Sequence, residues 1–116
     1  MNTICRMRDI YKALSCFEDT FEKVHRLSLN EAMVLCALDE SEEKMTSSAL
    51  SARTEMGASH TSKVIRSVEE KGFIKRVLGT IDKRQMYFKL TSKGEKCLEE
   101  ILQEQVEIPE ILRPLF

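Results

Sequence analysis

Two groups of side chains carry the chemistry this sequence offers. The first is Ser59-His60-Thr61-Ser62-Lys63 with Arg66, small hydroxyls and cations at the start of a helical pattern. The second is Asp82-Lys83-Arg84, set between two strand-like runs. Neither is arranged for bond-making. The chain has no nucleophile elbow, no glycine-rich phosphate loop, no metal-ligand cluster and no paired carboxylates at apolar positions, so no enzyme is expected. What these groups can do is bind. A guanidinium at a hairpin tip can enter a narrow minor groove, where the potential is most negative, and hydrogen-bond the base acceptors there. Ser, His, Lys and Arg side chains near a helix start suit base edges and phosphates, and the first-turn N–H groups suit phosphate. Arg84 is the leading candidate. Asp82 would repel phosphate and is better read as the partner that orients Arg84 through charge-assisted hydrogen bonds, leaving Lys83 for a phosphate. Without a helix-turn-helix before them, the same three residues read as a solvated turn with an ordinary Asp–Arg pair.

The remaining reactive side chains point to structure. Cys5, Cys16, Cys36 and Cys97 lie far apart, without a C-x-x-C pair, and the chain has only two histidines. Such spacing suggests neither a zinc site nor a disulfide framework, and no cofactor or metal is expected. Cys36 reads as a small buried hydrophobe. Cys16, with Glu18 and Asp19 close by, reads as a structural thiol. His25 ends the first helix, where a basic ring suits the negative helix terminus.

The elements that must position the two groups follow from composition and period. The chain has 116 residues, with Gly 4 and Pro 2 and 42% hydrophobic residues, which suits one mainly helical domain. Across residues 7–25, Met7, Ile10, Leu14, Phe17, Phe21 and Val24 recur every three or four positions, a seam for a monomer core or another subunit. Ser28 and Glu31 form a capping box ahead of a second helix bearing Leu29, Ala32, Met33, Leu35, Cys36 and Leu38. Thr46 caps a short helix over 46–56. Gly57 then starts a helix over 58–71 that Gly72 closes, with Val64, Ile65, Val68 and the methyl of Thr61 on one face. Residues 73–78 and 85–90 are β-branched and aromatic enough to be strands of a hairpin. Thr91 or Ser92 caps a last helix reaching residue 107. The tail carries Ile108, Ile111, Leu112, Leu115 and Phe116, interrupted by Pro114, and such a greasy end must pack on something, first of all a partner subunit.

A helix-turn-helix followed by a hairpin is a winged helix, and here the sequence resembles the MarR family of bacterial regulators. Asp82-Lys83-Arg84, five residues, then Leu90-Thr91-Ser92-Lys93-Gly94 is similar to that family's wing and Leu-Thr-x-x-Gly element. Residues 62–74 resemble its recognition helix running into the first wing strand. Two features depart from the family pattern: the region after Glu107 is about one turn long, and the reading helix starts Gly57-Ala58-Ser59. The resemblance implies a mainly α, winged helix-turn-helix fold of the α+β class with N- and C-terminal dimerisation helices. Residues 1–27 would be a dimerisation helix, 28–92 the DNA-binding core, and 93–116 the C-terminal helix and tail. It implies a homodimer, with Ile10, Leu14, Phe17, Leu102, Ile111, Leu112, Leu115 and Phe116 at the interface. That homodimer would bind double-stranded DNA at a pseudo-palindromic operator, as a repressor released by a small-molecule effector. In one branch of the family a first-helix cysteine senses hydroperoxides, so a thiol-based redox regulator is an alternative; a winged-helix module that binds protein is another. No stretch approaches a membrane span or signal peptide, so no membrane partner and a cytoplasmic location are expected.

The formal net charge of -1 conceals a strong division. Residues 1–52 hold six cations and nine anions (−3), residues 53–93 ten and four (+6), and residues 94–116 two and six (−4). The basic segment is the one that contains both candidate groups. Such an asymmetry would orient the chain on a polyanion, with its acidic ends held away.

Overall fold

The computed structural model describes residues 2–41, 43–81 and 84–116, so Asp82 and Lys83 lie outside the described residues. The chain divides into two compact units, Asn30–Gln103 and Met1–Leu29 with Glu104–Phe116.

The first unit is the winged helix. Helix α2 (Leu29–Ser41) is apolar nearly all round, and Ala32, Val34, Leu35, Ala37 and Leu38 are buried accordingly. Strand β1 (Met45–Thr46) and helix α3 (Ser47–Thr54) follow, and Thr46 serves both. Its Oγ1 accepts the Ala49 N–H at 3.1 Å as the expected cap, while its backbone pairs with Tyr87. That strand is absent from the sequence reading because two residues carry no readable period. Glu55 and Gly57 both take positive φ, 58° and 82°, and their turn sets helix α4 (Ala58–Glu70) after α3. Thr61, Val64, Ile65 and Val68 are its buried face. Gly72, at φ 81°, turns the chain into β2 (Ile74–Leu78), which pairs antiparallel with β3 (Met86–Leu90). The sheet order is β1-β3-β2. Helix α5 (Ser92–Gln103) starts on Thr91, whose Oγ1 accepts the Gly94 N–H at 3.0 Å and donates to the Gly72 carbonyl at 2.6 Å. Of the two expected caps, Thr91 is the one used. The helix stops four residues short of the expected 107, and Pro109 with the restriction it places on Ile108 keeps it from resuming directly.

The second unit is built on α1 (Thr3–His25), capped where Asn2 Oδ1 accepts the Ile4 N–H at 2.8 Å and ended by Arg26 at φ 60°. Along its seam Phe21 is buried and Ile10 and Phe17 are half-buried, whereas Met7, Leu14 and Val24 are exposed, as are Ile4 and Tyr11 off the seam. His25 packs its ring 4.7 Å from that of Phe21. The tail forms a 3₁₀ helix, Glu110–Leu115, which packs on α1. Leu112, expected at an interface, is buried within this chain, where it anchors the tail. Leu115 and Phe116 are 76% and 85% exposed.

Candidate nucleic-acid interface

The buried face of α4 determines what the helix shows. With about 100° per residue, burying positions 61, 64, 65 and 68 turns Ser59, Ser62, Lys63 and Arg66 to the opposite side, and all four are exposed. Thr61, grouped above with the reading residues, is 0% exposed, and its hydroxyl donates to the Gly57 carbonyl at 2.6 Å. It belongs to the inner face. His60 stands on a flank, where its Nε2 accepts from the Asn30 amide at 3.0 Å. No acidic residue occupies the first turn of α4 and its N-cap, Gly57, has no side chain to bond the first N–H groups, which suits the helix start to an anion.

The sheet contributes a cation that the sequence reading missed. Arg76 lies opposite Phe88 in the β2–β3 register and points to α4, where Nε and one terminal nitrogen bond the Glu69 carboxylate at 2.7 and 3.2 Å. Its guanidinium lies 5.6 Å from the Phe88 ring centroid. The hydrogen bond and charge of Glu69 push this already strong base further up. Strand alternation could have placed Arg76 on the Phe88 face; nothing in the local sequence paired it with Glu69. Between α4 and the sheet lies a recess of about 300 Å3 lined by Ser47, Ser62, Arg66, Arg76 and Met86. Ser47 was also missed, since only the fold brings the start of α3 beside α4. Further out, Gly79 N–H donates to the Gln85 carbonyl at 3.0 Å and closes the hairpin beside Arg84, which is exposed. On the sheet's other face Lys75 and Lys89 pair directly across the strands, a like-charge contact that an anion would relieve.

Glu31, read from sequence as half of a capping box, sends its carboxylate to α4. It accepts from Ser67 Oγ at 2.8 Å and pairs with Lys71 Nζ at 2.9 Å. The thiols suit structural roles: burial, then Glu40 and Asp39, push Cys36 up, and burial, then Glu100, push Cys97 up. Cys16 is exposed on α1. Among the described residues, no group of three or more His, Cys, Asp or Glu could hold a metal ion. Among them too, no helix is long and apolar enough to cross a membrane.

Known structures share this architecture. A point variant of MepR from S. aureus superposes with a TM-score of 0.75 at 18% identity, covering 89% of this chain and 76% of that one. A variant of MarR from E. coli in complex with operator DNA gives 0.72 at 19% identity, covering 83% and 70%. YusO from Bacillus subtilis gives 0.64 at 22%, covering 89% and 77%. At these identities the likeness concerns the fold, the winged helix of MarR-family regulators that the wing motifs suggested. No curated protein matches the chain by sequence. The model of the family described as transcriptional regulator SarA/Rot matches residues 17–101. With most of its length, including all of α4 and the β2–β3 hairpin, inside that match, the chain belongs to the SarA/Rot family of DNA-binding transcriptional regulators.

Proposed function

We propose that the chain acts as a homodimeric, sequence-specific repressor in the cytoplasm, without catalytic activity, binding a pseudo-palindromic operator and released from it by a small molecule. The observation that carries this reading is the outer face of α4. Ser59, Ser62, Lys63 and Arg66 stand exposed on one side of a helix whose first turn holds no acid, beside a basic hairpin. Ser59 and Ser62 would meet base edges, Lys63 and Arg66 guanine or phosphate, and Arg84 with Lys83 the minor groove and its phosphates, Asp82 orienting Arg84. MarR and MepR, which share the fold, have both been solved with DNA bound. Exposed Leu14, Leu115 and Phe116, with half-buried Ile10, Phe17 and Ile111, supply apolar side chains on one unit that a second copy would cover, and exposed Leu102 supplies one on the other.

Selection of bound fragments from genomic DNA at physiological salt tests the reading and yields the operator. Enrichment of a palindromic site is expected, and Arg84→Ala should weaken binding to it strongly while leaving the melting curve in place. A folded dimer that enriches no DNA would favour the protein-binding winged helix. Full operator affinity in the Arg84 variant would remove the wing from the interface.

A further inference from the structure

We infer that Asn30 and Glu31 form a two-point clamp that sets the roll of α4 about its own axis, and so the operator sequence the protein selects. The inference rests on the reading that α4 reads DNA. The two residues are neighbours at the start of α2, and they grip α4 in opposite directions along its length. The Asn30 amide donates to His60 Nε2 at 3.0 Å in the first turn. The Glu31 carboxylate takes the Ser67 hydroxyl at 2.8 Å and the Lys71 ammonium at 2.9 Å at the far end. His60, Ser67 and Lys71 are seven and four residues apart, so they return to within roughly 40° of one azimuth and form a single flank. That flank faces α2. It is neither the buried face nor the outer face that carries Lys63 and Arg66.

The apolar inner face of α4 fixes which side is buried, but hydrophobic contact is non-directional and leaves the finer roll to other contacts. Hydrogen bonds are directional, and two anchors on one flank at opposite ends oppose rotation. A roll of about 20° moves atoms at the helix surface by about 2 Å, enough to break a base-edge hydrogen bond. The Glu31 side chain is only 7% exposed. A carboxylate taken this far from water gains little net stability from its ion pair, and the best-attested use of such pairs is to specify geometry. Asn30 and Glu31 are therefore positioning residues, acting on DNA through α4.

The test compares two duplexes of equal length, one recovered by the unaltered chain from a random-sequence library and one scrambled. Glu31 itself is buried and its loss could unfold the protein, so the substitutions fall on its partners and on Asn30: Asn30→Ala, Ser67→Ala and the two combined, none of which changes charge. The expected result is a fall of at least about tenfold in the ratio of selected to scrambled affinity, the scale of one base pair's discrimination. Scrambled binding, which depends on phosphate contacts, stays nearly constant. A Lys71→Arg variant, which keeps a cation on Glu31, should hold the ratio. A loss of fold stability alone would not move this ratio in protein that circular dichroism shows to be folded at the assay temperature. An unchanged ratio in the folded double variant, or in both folded singles if the double melts too low, overturns the clamp and leaves DNA reading intact. Failure of the unaltered chain to enrich any sequence overturns the DNA reading, and the clamp with it.

Discussion

Gly94→Ala sets two effects of opposite sign against each other. Gly94 lies in the first turn of α5, and in a helix alanine is favoured over glycine by about 1 kcal/mol. Its φ is not left-handed, so propensity alone makes the change stabilising. Sterics say otherwise. A Cβ there would sit 2.0 Å from the Phe73 carbonyl oxygen, 2.9 Å from its carbonyl carbon and 3.2 Å from its Cα. An ordinary C···O contact is about 3.3 Å or more, so the two segments must separate by about 1.3 Å. All three atoms are backbone and cannot rotate aside. The separation would pull on Thr91 N–H to the Phe73 carbonyl (3.0 Å), Thr91 Oγ1 to the Gly72 carbonyl (2.6 Å) and Lys93 Nζ to the Lys71 carbonyl (2.9 Å). With only backbone able to yield, overpacking costs about 3 kcal/mol, and the weakened hydrogen bonds together add up to about 2 kcal/mol. After the propensity gain, a net loss of about 2–4 kcal/mol remains, or a fall in Tm of about 10–20 °C for a domain of this size. Urea and thermal melts followed by circular dichroism measure it directly. An unchanged or raised Tm would show that α5 does not bear on the turn after α4 as described. The same contacts explain the Leu-Thr-x-x-Gly element physically: Thr91 and Gly94 meet Gly72 and Phe73 where α4 gives way to β2.

Other outcomes follow from the same geometry. Lys63→Ala should lower the slope of log affinity against log salt by roughly one on the selected operator, as for one lost phosphate contact, and an unchanged slope would take Lys63 off the DNA. Deleting residues 111–116 removes exposed Leu115 and Phe116 and should shift the mass in light scattering from dimer towards monomer; a persisting dimer would deny the tail a place in the interface. Iodoacetamide at pH 8 should label exposed Cys16 faster than Cys36 and Cys97, whose thiols are pushed up by burial, and equal rates would refute the burial argument. Because their folded-state values are raised, these two thiols support the fold at neutral pH, and that support is lost as pH climbs through the raised values.

Much of this protein is legible in the sequence because much of it is periodic. The long helices, the hairpin, the cap at Thr46 and the glycines at 57 and 72 are local signals, and the structure bears them out. So are the basic segment between acidic flanks and the wing motifs, which suggested the fold. The seam of α1 was readable as well, although its exposure was not. What failed were pairings and limits that depend on the path of the chain. β1 exists only because β3 passes beside it, and α5 ends early ahead of Pro109. Arg76 finds Glu69 across the glycine turn. Asn30 meets His60 thirty positions on, and Glu31 meets Ser67 and Lys71 at separations of 36 and 40. Sequence by itself determined which elements form, in what order, and where the positive charge lies, since backbone propensity, period and capping act over a few residues. The period also placed Val64, Ile65, Val68 and the methyl of Thr61 on one face of α4; only the tertiary structure decided what its flanks meet, with His60 on Asn30 and Ser67 on Glu31. Such contacts join residues that the path of the chain brings together from 30 to 40 positions apart, and no local pattern encodes them.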